Sequence, residues 1–132
     1  GMQSQMDRVA HGWALLAVRM PDIRTLSHER RSISELCESY SLAVLHLREL
    51  RRLCASKASI AVYEQLIADI EEEAYATGAA ALVPYAGLKK FVEQGKTTAE
   101  IARHYNVSKA LVEYRIKISR LWDAYKENLF QS

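Results

Sequence analysis

The chain has 132 residues, of which 49% are apolar and 26% charged, so it is long enough for one folded domain and too apolar to be disordered. Five glycines and two prolines favour helices over sheet, and a net charge of +2 does not by itself indicate a nucleic-acid partner. Cys37 and Cys54 lack CxxC spacing and lie in apolar helical patterns. We therefore expect buried free thiols in a cytoplasmic protein, and the apolar segment 13–20 is too short to cross a membrane.

The first third of the chain contains one ambiguous segment and one clear helix start. Residues 2–20 have helical spacing, but the run WALLAV also fits a short buried strand, so a small β element near residues 12–27 stays open. Pro21-Asp22 breaks the chain. Ser32 with Glu35 fits a capping box, and the sequence predicts a long helix from there to about Cys54.

The middle of the chain predicts a second long helix and a short one. The former runs from about Ile60 to Val83 and carries Val62, Leu66 and Ile70 at helical spacing. Residues 84–95 then form a short helix, because Gly95 is well placed as its C-terminal cap.

Residues 97–116 predict two short helices joined by a tight turn. Thr97 with Glu100 fits a capping box at the start of the first helix. Asn106 stands where that helix must stop, and Asn tolerates a left-handed backbone. Ser108 is a good cap for the second helix, and Ala102 leaves room for two helices to cross closely. This is the pattern of a helix-turn-helix, which presents one helix to the DNA major groove.

The last helix is predicted to start after Ser108 and to reach about Leu129. An apolar stripe along it must pack against residues 1–84 or form a homodimer seam; its later members are Leu121, Trp122, Tyr125 and Leu129. The sequence therefore predicts a mainly α protein of five or six helices. Its parts are a helical domain at 1–84 and a helix-turn-helix region with a long C-terminal helix at 85–132, which together make one compact unit.

Charge is divided unevenly along the chain. Residues 1–84 hold 9 basic and 11 acidic residues, a net of −2, whereas residues 85–132 hold 9 and 5, a net of +4. The basic half is the half with the helix-turn-helix, which suits phosphate contact, although the same excess is also typical of a solvated surface. The candidate DNA-binding residues are Ser108, Lys109, Glu113, Arg120, Arg103 and Lys96.

We expect a different role for each of these candidates. Ser108 or Lys109, at the start of the second helix, reaches base edges, and Arg120 reaches phosphate. Arg103 and Lys96 hold the DNA backbone from the first helix. Glu113 argues against DNA contact unless it accepts a hydrogen bond from a cytosine amino group.

Two stretches resemble a known family. EEEAYATGAAALVP (71–84) and VSKALVEYRI (107–116) are similar, in order and separation, to the C-terminal part of the ImmA/IrrE zinc-metallopeptidase family. The resemblance covers about residues 69–120. It implies an HExxH helix whose two histidines bind zinc while its Glu activates water, with a later carboxylate as a further ligand. Glu73 best matches that carboxylate, and Glu71 is the alternative.

The HExxH motif itself is missing from the sequence. HERRS (28–32) has Ser32 where the second His should stand, and HLREL (46–50) keeps a single His. We therefore expect no catalytic zinc and no cofactor. The favoured interpretation is a DNA-binding regulator related to this family. The alternatives are a non-catalytic module that binds a protein partner through residues 1–84, and, third, a zinc metallopeptidase.

Overall fold

The computed structural model describes residues 5–22 and 33–131, and within them the chain is mainly α-helical with no strand. The predicted mainly α fold is therefore confirmed. Residues 12–22 of the suggested β element are helical or in a short turn, and residues 23–27 lie outside the described residues. The seven helices of the described part are α1 (Gln5–Arg19), α2 (Ser34–Arg52), α3 (Lys57–Leu82), α4 (Tyr85–Glu93), α5 (Thr98–Tyr105), α6 (Lys109–Ile118) and α7 (Trp122–Gln131).

The chain divides into two compact units. Unit 1 is Gly1–Thr77 and unit 2 is Gly78–Ser132, so the long helix α3 belongs to both. The division lies a few residues before the boundary at residue 84 that the sequence suggested. None of the helices in the described ranges has the length and apolar character that crossing a membrane requires.

In unit 1, α1 and α2 cross closely. Gly12 lies against the backbone of Cys37, and a Cβ on Gly12 would collide with the Cys37 carbonyl. Beside this crossing, the guanidinium of Arg8 contacts the Glu38 carboxylate at 3.2 Å. Backbone contact at this distance is open to glycine alone, so Gly12 fixes how near the two helices approach.

Local signals predicted the ends of α2 less well. Ile33 is its N-cap residue and makes no capping bond through its side chain, while Ser32 of the predicted capping box lies outside the described residues. Cys54 was predicted to be buried in this helix, and that prediction was wrong. The helix ends at Arg52, and Cys54 is exposed in the following turn with a left-handed φ of 53°.

The apolar stripe of α3 is only partly buried. Ile70 and Ala74 are buried, but Val62 and Leu66, which the spacing placed on the same inner stripe, are exposed. The first half of α3 therefore has apolar side chains without enough neighbouring structure in its own unit to cover them. Helical spacing shows which residues share a face of a helix, but it cannot show how far the neighbouring helix extends.

In unit 2, α4 begins and ends where the sequence indicated. Pro84 is its N-cap, and Leu88 and Val92 are fully buried on its inner side. Gly95 has a φ of 74°, and the amide of Lys96 donates to the carbonyl of Phe91 at 3.0 Å. This is the bond pattern of a glycine-terminated helix, so the predicted cap is confirmed.

The predicted long C-terminal helix is wrong, because the chain turns between α6 and α7. Arg120 is left-handed with a φ of 61°, and the amide of Leu121 donates to the carbonyl of Ile116 at 2.9 Å. The turn directs α7 onto α4 and α6, where the hydroxyl of Tyr125 accepts a hydrogen bond from the amide of Thr98 at 3.1 Å. A single straight helix from Ser108 to Leu129 could not make this contact. Ile118, the last residue of α6, is 56% exposed.

Candidate functional site

As the sequence predicted, α5 and α6 are two short helices joined by a tight turn at residues 106–108. Both bonds of the capping box between Thr97 and Glu100 are formed at the start of α5. Asn106 ends α5 in the left-handed conformation, with φ 56° and ψ 49°, as its position predicted. The hydroxyl oxygen of Ser108 then accepts from the amide of Leu111 at 3.1 Å and caps α6. These three local predictions are confirmed.

The inner faces of α5 and α6 form one apolar contact. Ile101 and Ala102 of α5 are buried, as are Leu111, Val112 and Ile116 of α6. The size of Ala102 matters here, because a larger side chain at a closely packed crossing forces the helices apart.

An aromatic cluster joins α5 to α4. The ring of Phe91 lies 4.7 Å from that of His104 and 5.9 Å from that of Tyr105, measured between centroids. The hydroxyl end of Tyr105 lies directly against Gly87, at a position that any Cβ on Gly87 would occupy. His104 is therefore part of a packed edge-to-face cluster.

Arg115 is a residue whose role the sequence did not reveal. It is 7% exposed, and its Nε donates to the carbonyl oxygen of Val83 at 2.9 Å. Burial lowers the pKa of its guanidinium, since removal from water disfavours the charged form. Arg115 therefore ties α6 to the end of α3 and is no part of a DNA-facing surface. The sequence feature that could have indicated this burial is the helical spacing that places Arg115 among the apolar residues of the inner face of α6.

The six candidate DNA-binding residues differ in their surroundings. Lys109, Arg103 and Arg120 are exposed, the first at the start of α6 and the last in the turn after it. Glu113 is half-buried on α6. Two of the six already have local partners. Lys96 lies 3.9 Å from the Glu100 carboxylate, and Ser108 is half-buried in its capping role.

The apolar stripe of α7 is used inside unit 2. Leu121 and Tyr125 are buried, and the Trp122 ring stacks on that of Tyr125 with centroids 5.5 Å apart. The ammonium groups of Lys117 and Lys126 lie 5.7 and 6.0 Å from the centre of the Trp122 ring. α4 and α6 supply the contact for Leu121 and Tyr125, which were expected to cover residues 1–84 or a second copy, and a homodimer through the C-terminal helix stays a prediction.

The two carboxylates that the resemblance singled out have different environments in unit 1. Glu71 accepts a hydrogen bond from Nε of Arg19 at 2.9 Å. It also faces the buried Tyr40 of α2, whose hydroxyl pKa is raised first by burial and then by the charge of Glu71 and a hydrogen bond with it. Glu73 is exposed at one end of a groove between α2 and α3, which His46 also borders.

These surroundings do not fit the zinc that the resemblance implies. In residues 5–22 and 33–131, no three His, Cys, Asp or Glu side chains come together as metal ligands. The α2 residue that faces Glu71 is Tyr40, and Val44 follows it one turn later, so neither position offers the imidazole that a zinc helix supplies. Of the two HExxH-like segments, 28–32 lies outside the described residues, and His46 stacks on Tyr63 with ring centroids 4.4 Å apart.

The comparisons with known proteins agree with the segments that suggested a family. The family model described as the IrrE N-terminal-like domain, a peptidase family, matches residues 23–117. No curated protein and no solved structure gives a significant match to the chain. The matched range contains both the acidic segment and most of the helix-turn-helix, and it covers more than half of the sequence. The chain therefore belongs to the family of IrrE N-terminal-like domains, as the ImmA/IrrE-like resemblance predicted.

Proposed function

We propose that this chain is a DNA-binding regulatory member of its family and that α5 and α6 of unit 2 make the contact with DNA. The α5–turn–α6 pair is the observation that carries the proposal, because its caps, left-handed Asn106 and buried inner face are those of a helix-turn-helix. Its basic side chains Arg103, Lys109 and Arg120 are exposed. A helix presented in this way has the dimensions and the charge to enter a major groove.

Lys109 is the central residue of the proposed contact. It is the first residue of α6, where the amides at the helix start and its own ammonium group both favour a phosphate or an electron-rich base edge. Arg103 lies in the last turn of α5 and suits the DNA backbone, as does Arg120 beyond the end of α6. Glu113 stands one turn after Lys109 and suits a cytosine amino group.

Salt-dependent binding to duplex DNA tests this function. Fluorescence anisotropy is measured on genomic DNA fragments, with wild type, the double variant Lys109→Ala/Arg120→Ala and the matched control Lys89→Ala/Lys126→Ala. The first double variant should bind more weakly, with a salt slope reduced by about two, because each lost phosphate contact removes about one. The control removes the same charge from two lysines that already lie near acidic partners, Glu93 and Asp123. Absence of wild-type binding at low salt contradicts the proposal.

We further propose that the chain acts without catalytic zinc. Arg19 supplies Glu71 with the positive charge that a metal would otherwise supply, which supports this view. Elemental analysis of protein purified without added metal is the test. Stoichiometric zinc that is lost on His28→Ala or His46→Ala, together with Glu73→Gln, would contradict it and favour the metallopeptidase interpretation.

A non-catalytic protein-interaction module is the second candidate function. The observation that favours it is the set of exposed apolar side chains on α2 and α3 of unit 1, including Leu42, Leu66 and Val62. Under this interpretation the helix-turn-helix is a packing element. Duplex DNA then binds neither wild type nor the lysine and arginine variants.

A further inference from the structure

An open groove runs between α2 and α3 in unit 1, with a volume of about 580 Å³. Its α3 wall repeats at helical spacing through Tyr63, Leu66, Ile70 and Glu73. The α2 wall includes Leu42, Ala43 and His46. Tyr63 and Glu73 are ten positions apart on α3, which corresponds to a groove about 15 Å long, or roughly three turns of an α-helix.

The walls of this groove are apolar and uncovered. Ala43 and Ile70 form a buried floor, while Leu42 is 50% exposed and Leu66 is 43% exposed above it. A single exposed leucine is ordinary, but two that line one groove over an apolar floor form a continuous apolar surface. Such surfaces bind the apolar stripe of an amphipathic helix.

The charge beside the groove indicates what kind of helix binds there. Within unit 1, α3 contains Lys57 as its single basic residue and five acidic residues: Glu64, Asp69, Glu71, Glu72 and Glu73. Two of these are neutralised, Glu64 by Arg51 at 3.3 Å and Glu71 by Arg19 at 2.9 Å. Asp69, Glu72 and Glu73 make no ion pair with the residues that the structure describes. Glu73 lines the groove and Asp69 lies one turn before it on the same face of α3, whereas Glu72 lies on another face, so the α3 rim of the groove carries two carboxylates.

We propose that the α2–α3 groove binds an amphipathic α-helix of a partner protein, with apolar side chains in the groove and Lys or Arg residues along the α3 side. Leu42 and Leu66 contact the apolar stripe of that helix. Asp69 and Glu73 attract its basic side chains and select it over an acidic helix. The proposal concerns unit 1 alone, goes beyond the proposed DNA contact and requires nothing of α5 and α6.

Two synthetic peptides of about 14 residues, or about 21 Å of helix, are the probes for this groove. They share one leucine stripe at i, i+3, i+4 and i+7, and differ in carrying Lys or Glu at the outer positions. Fluorescence anisotropy with the full chain should show the Lys peptide binding about tenfold more tightly than the Glu peptide, since attraction at about two exposed carboxylates is replaced by repulsion. Equal binding of both peptides, or binding of neither, overturns the proposal.

Variants of the chain locate the contact. Leu42→Ser/Leu66→Ser should abolish binding of the Lys peptide, and Asp69→Asn/Glu73→Gln should remove most of its advantage over the Glu peptide. Leu53→Ser is the matched control, because Leu53 is 61% exposed but does not line the groove. Equal loss in this control overturns the assignment. Circular dichroism of each variant checks that it is folded.

Two further measurements distinguish this proposal from self-association through the groove and from DNA binding by unit 2. Sedimentation equilibrium shows whether the chain self-associates. Self-association that Leu42→Ser/Leu66→Ser abolishes, with no peptide binding, would assign the groove to a second copy and overturn the proposal. Duplex DNA titrated onto the same groove variant tests the other surface, and unchanged DNA binding beside lost peptide binding supports two separate sites.

Discussion

The two units of this chain hold their helices in different ways. In unit 2, helices begin and end at short-range signals, such as the capping box at Thr97, the left-handed Asn106 and the glycine stop at Gly95. In unit 1, α1 and α2 are held by residues about 25 to 30 positions apart, including Gly12 with Cys37 and Arg8 with Glu38. The ends of the helices in unit 2 should therefore stay in place when distant residues are changed. The packing of α1 and α2 in unit 1 depends instead on a few contacts between residues far apart in the sequence.

The same difference separates the surfaces that each unit offers to partners. The short helices of unit 2 bury most of their apolar residues within the unit and leave basic side chains outside. The long helices of unit 1 extend beyond the structure that covers them, so Leu42, Val62 and Leu66 remain exposed. The short helices of unit 2 therefore present basic side chains to a partner. The long helices of unit 1 present exposed apolar side chains instead.

The largest expected effect comes from the crossing of α1 and α2. Gly12→Ala places a Cβ against the Cys37 carbonyl, so backbone must move, and we expect the free energy of unfolding to fall by about 3 kcal/mol. Urea unfolding followed by circular dichroism measures this. Ala14→Met adds a larger side chain at an exposed position of the same helix and should change stability by less than about 0.5 kcal/mol. Equal effects of the two changes would show that the crossing does not depend on Gly12.

A smaller loss is expected in unit 2, where one long-range bond supplements the local caps. Arg115→Met keeps the aliphatic stem but removes the donor to the Val83 carbonyl, and should cost about 2 kcal/mol. Lys117→Met, at an exposed position of the same helix, is the control and should cost less than about 1 kcal/mol, which is the most that its contact with the Trp122 ring would contribute. Thermal unfolding monitored at 222 nm compares them. If Arg115→Met is as stable as the control, the stability of unit 2 does not depend on this long-range bond and comes from short-range interactions.

The capping box gives the next effect and a dependence on pH. Thr97→Ala should cost about 1 kcal/mol, because it removes the oxygen that accepts from the Glu100 amide. The pKa of Glu100 lies below its ordinary value, chiefly because the Thr97 amide donates to its carboxylate. A carboxyl with a lowered folded-state pKa stabilises the protein above its unfolded pKa, and this contribution is lost as the pH falls through the folded value.

Unfolding measured from neutral pH to pH 3 tests this dependence, with Glu100→Gln as the comparison. The wild type should lose stability relative to Glu100→Gln as the pH falls below the ordinary glutamate range. Parallel curves for the two proteins would mean that the capping bond to Glu100 contributes nothing in solution.

The smallest expected effect is a gain. Arg120 is left-handed, which disfavours any side chain with a Cβ, so Arg120→Gly should raise the free energy of unfolding by roughly 0.5 kcal/mol. The same change removes a proposed phosphate contact and should weaken DNA binding. Chemical denaturation and DNA anisotropy on one protein sample separate the two effects. If Arg120→Gly is instead less stable than the wild type, the contacts of the Arg120 side chain contribute more to the free energy of unfolding than its left-handed backbone conformation costs.

Helix type and several helix ends could be predicted from the sequence because their causes are local. Thr97 and Glu100 are three residues apart, and Asn106 needs little beyond its own backbone preference. The order of the acidic segment and the helix-turn-helix was sufficient to indicate the family. By contrast, the burial of Cys54 and Leu66 was predicted wrongly, since helical spacing shows neither where a helix ends nor which of its faces a neighbour covers.

By itself, the sequence determined that this protein is mainly helical, where α4 and α5 start and stop and where α6 starts, and that the chain contains no HExxH motif. Each of these follows from residues within a few positions of one another. The tertiary structure alone decided that the chain turns at Arg120, because Tyr125 reaches Thr98 only after that turn. It also decided that Arg19 neutralises Glu71, a contact across 52 positions. Contacts between distant residues depend on how helices pack, which no short-range pattern contains.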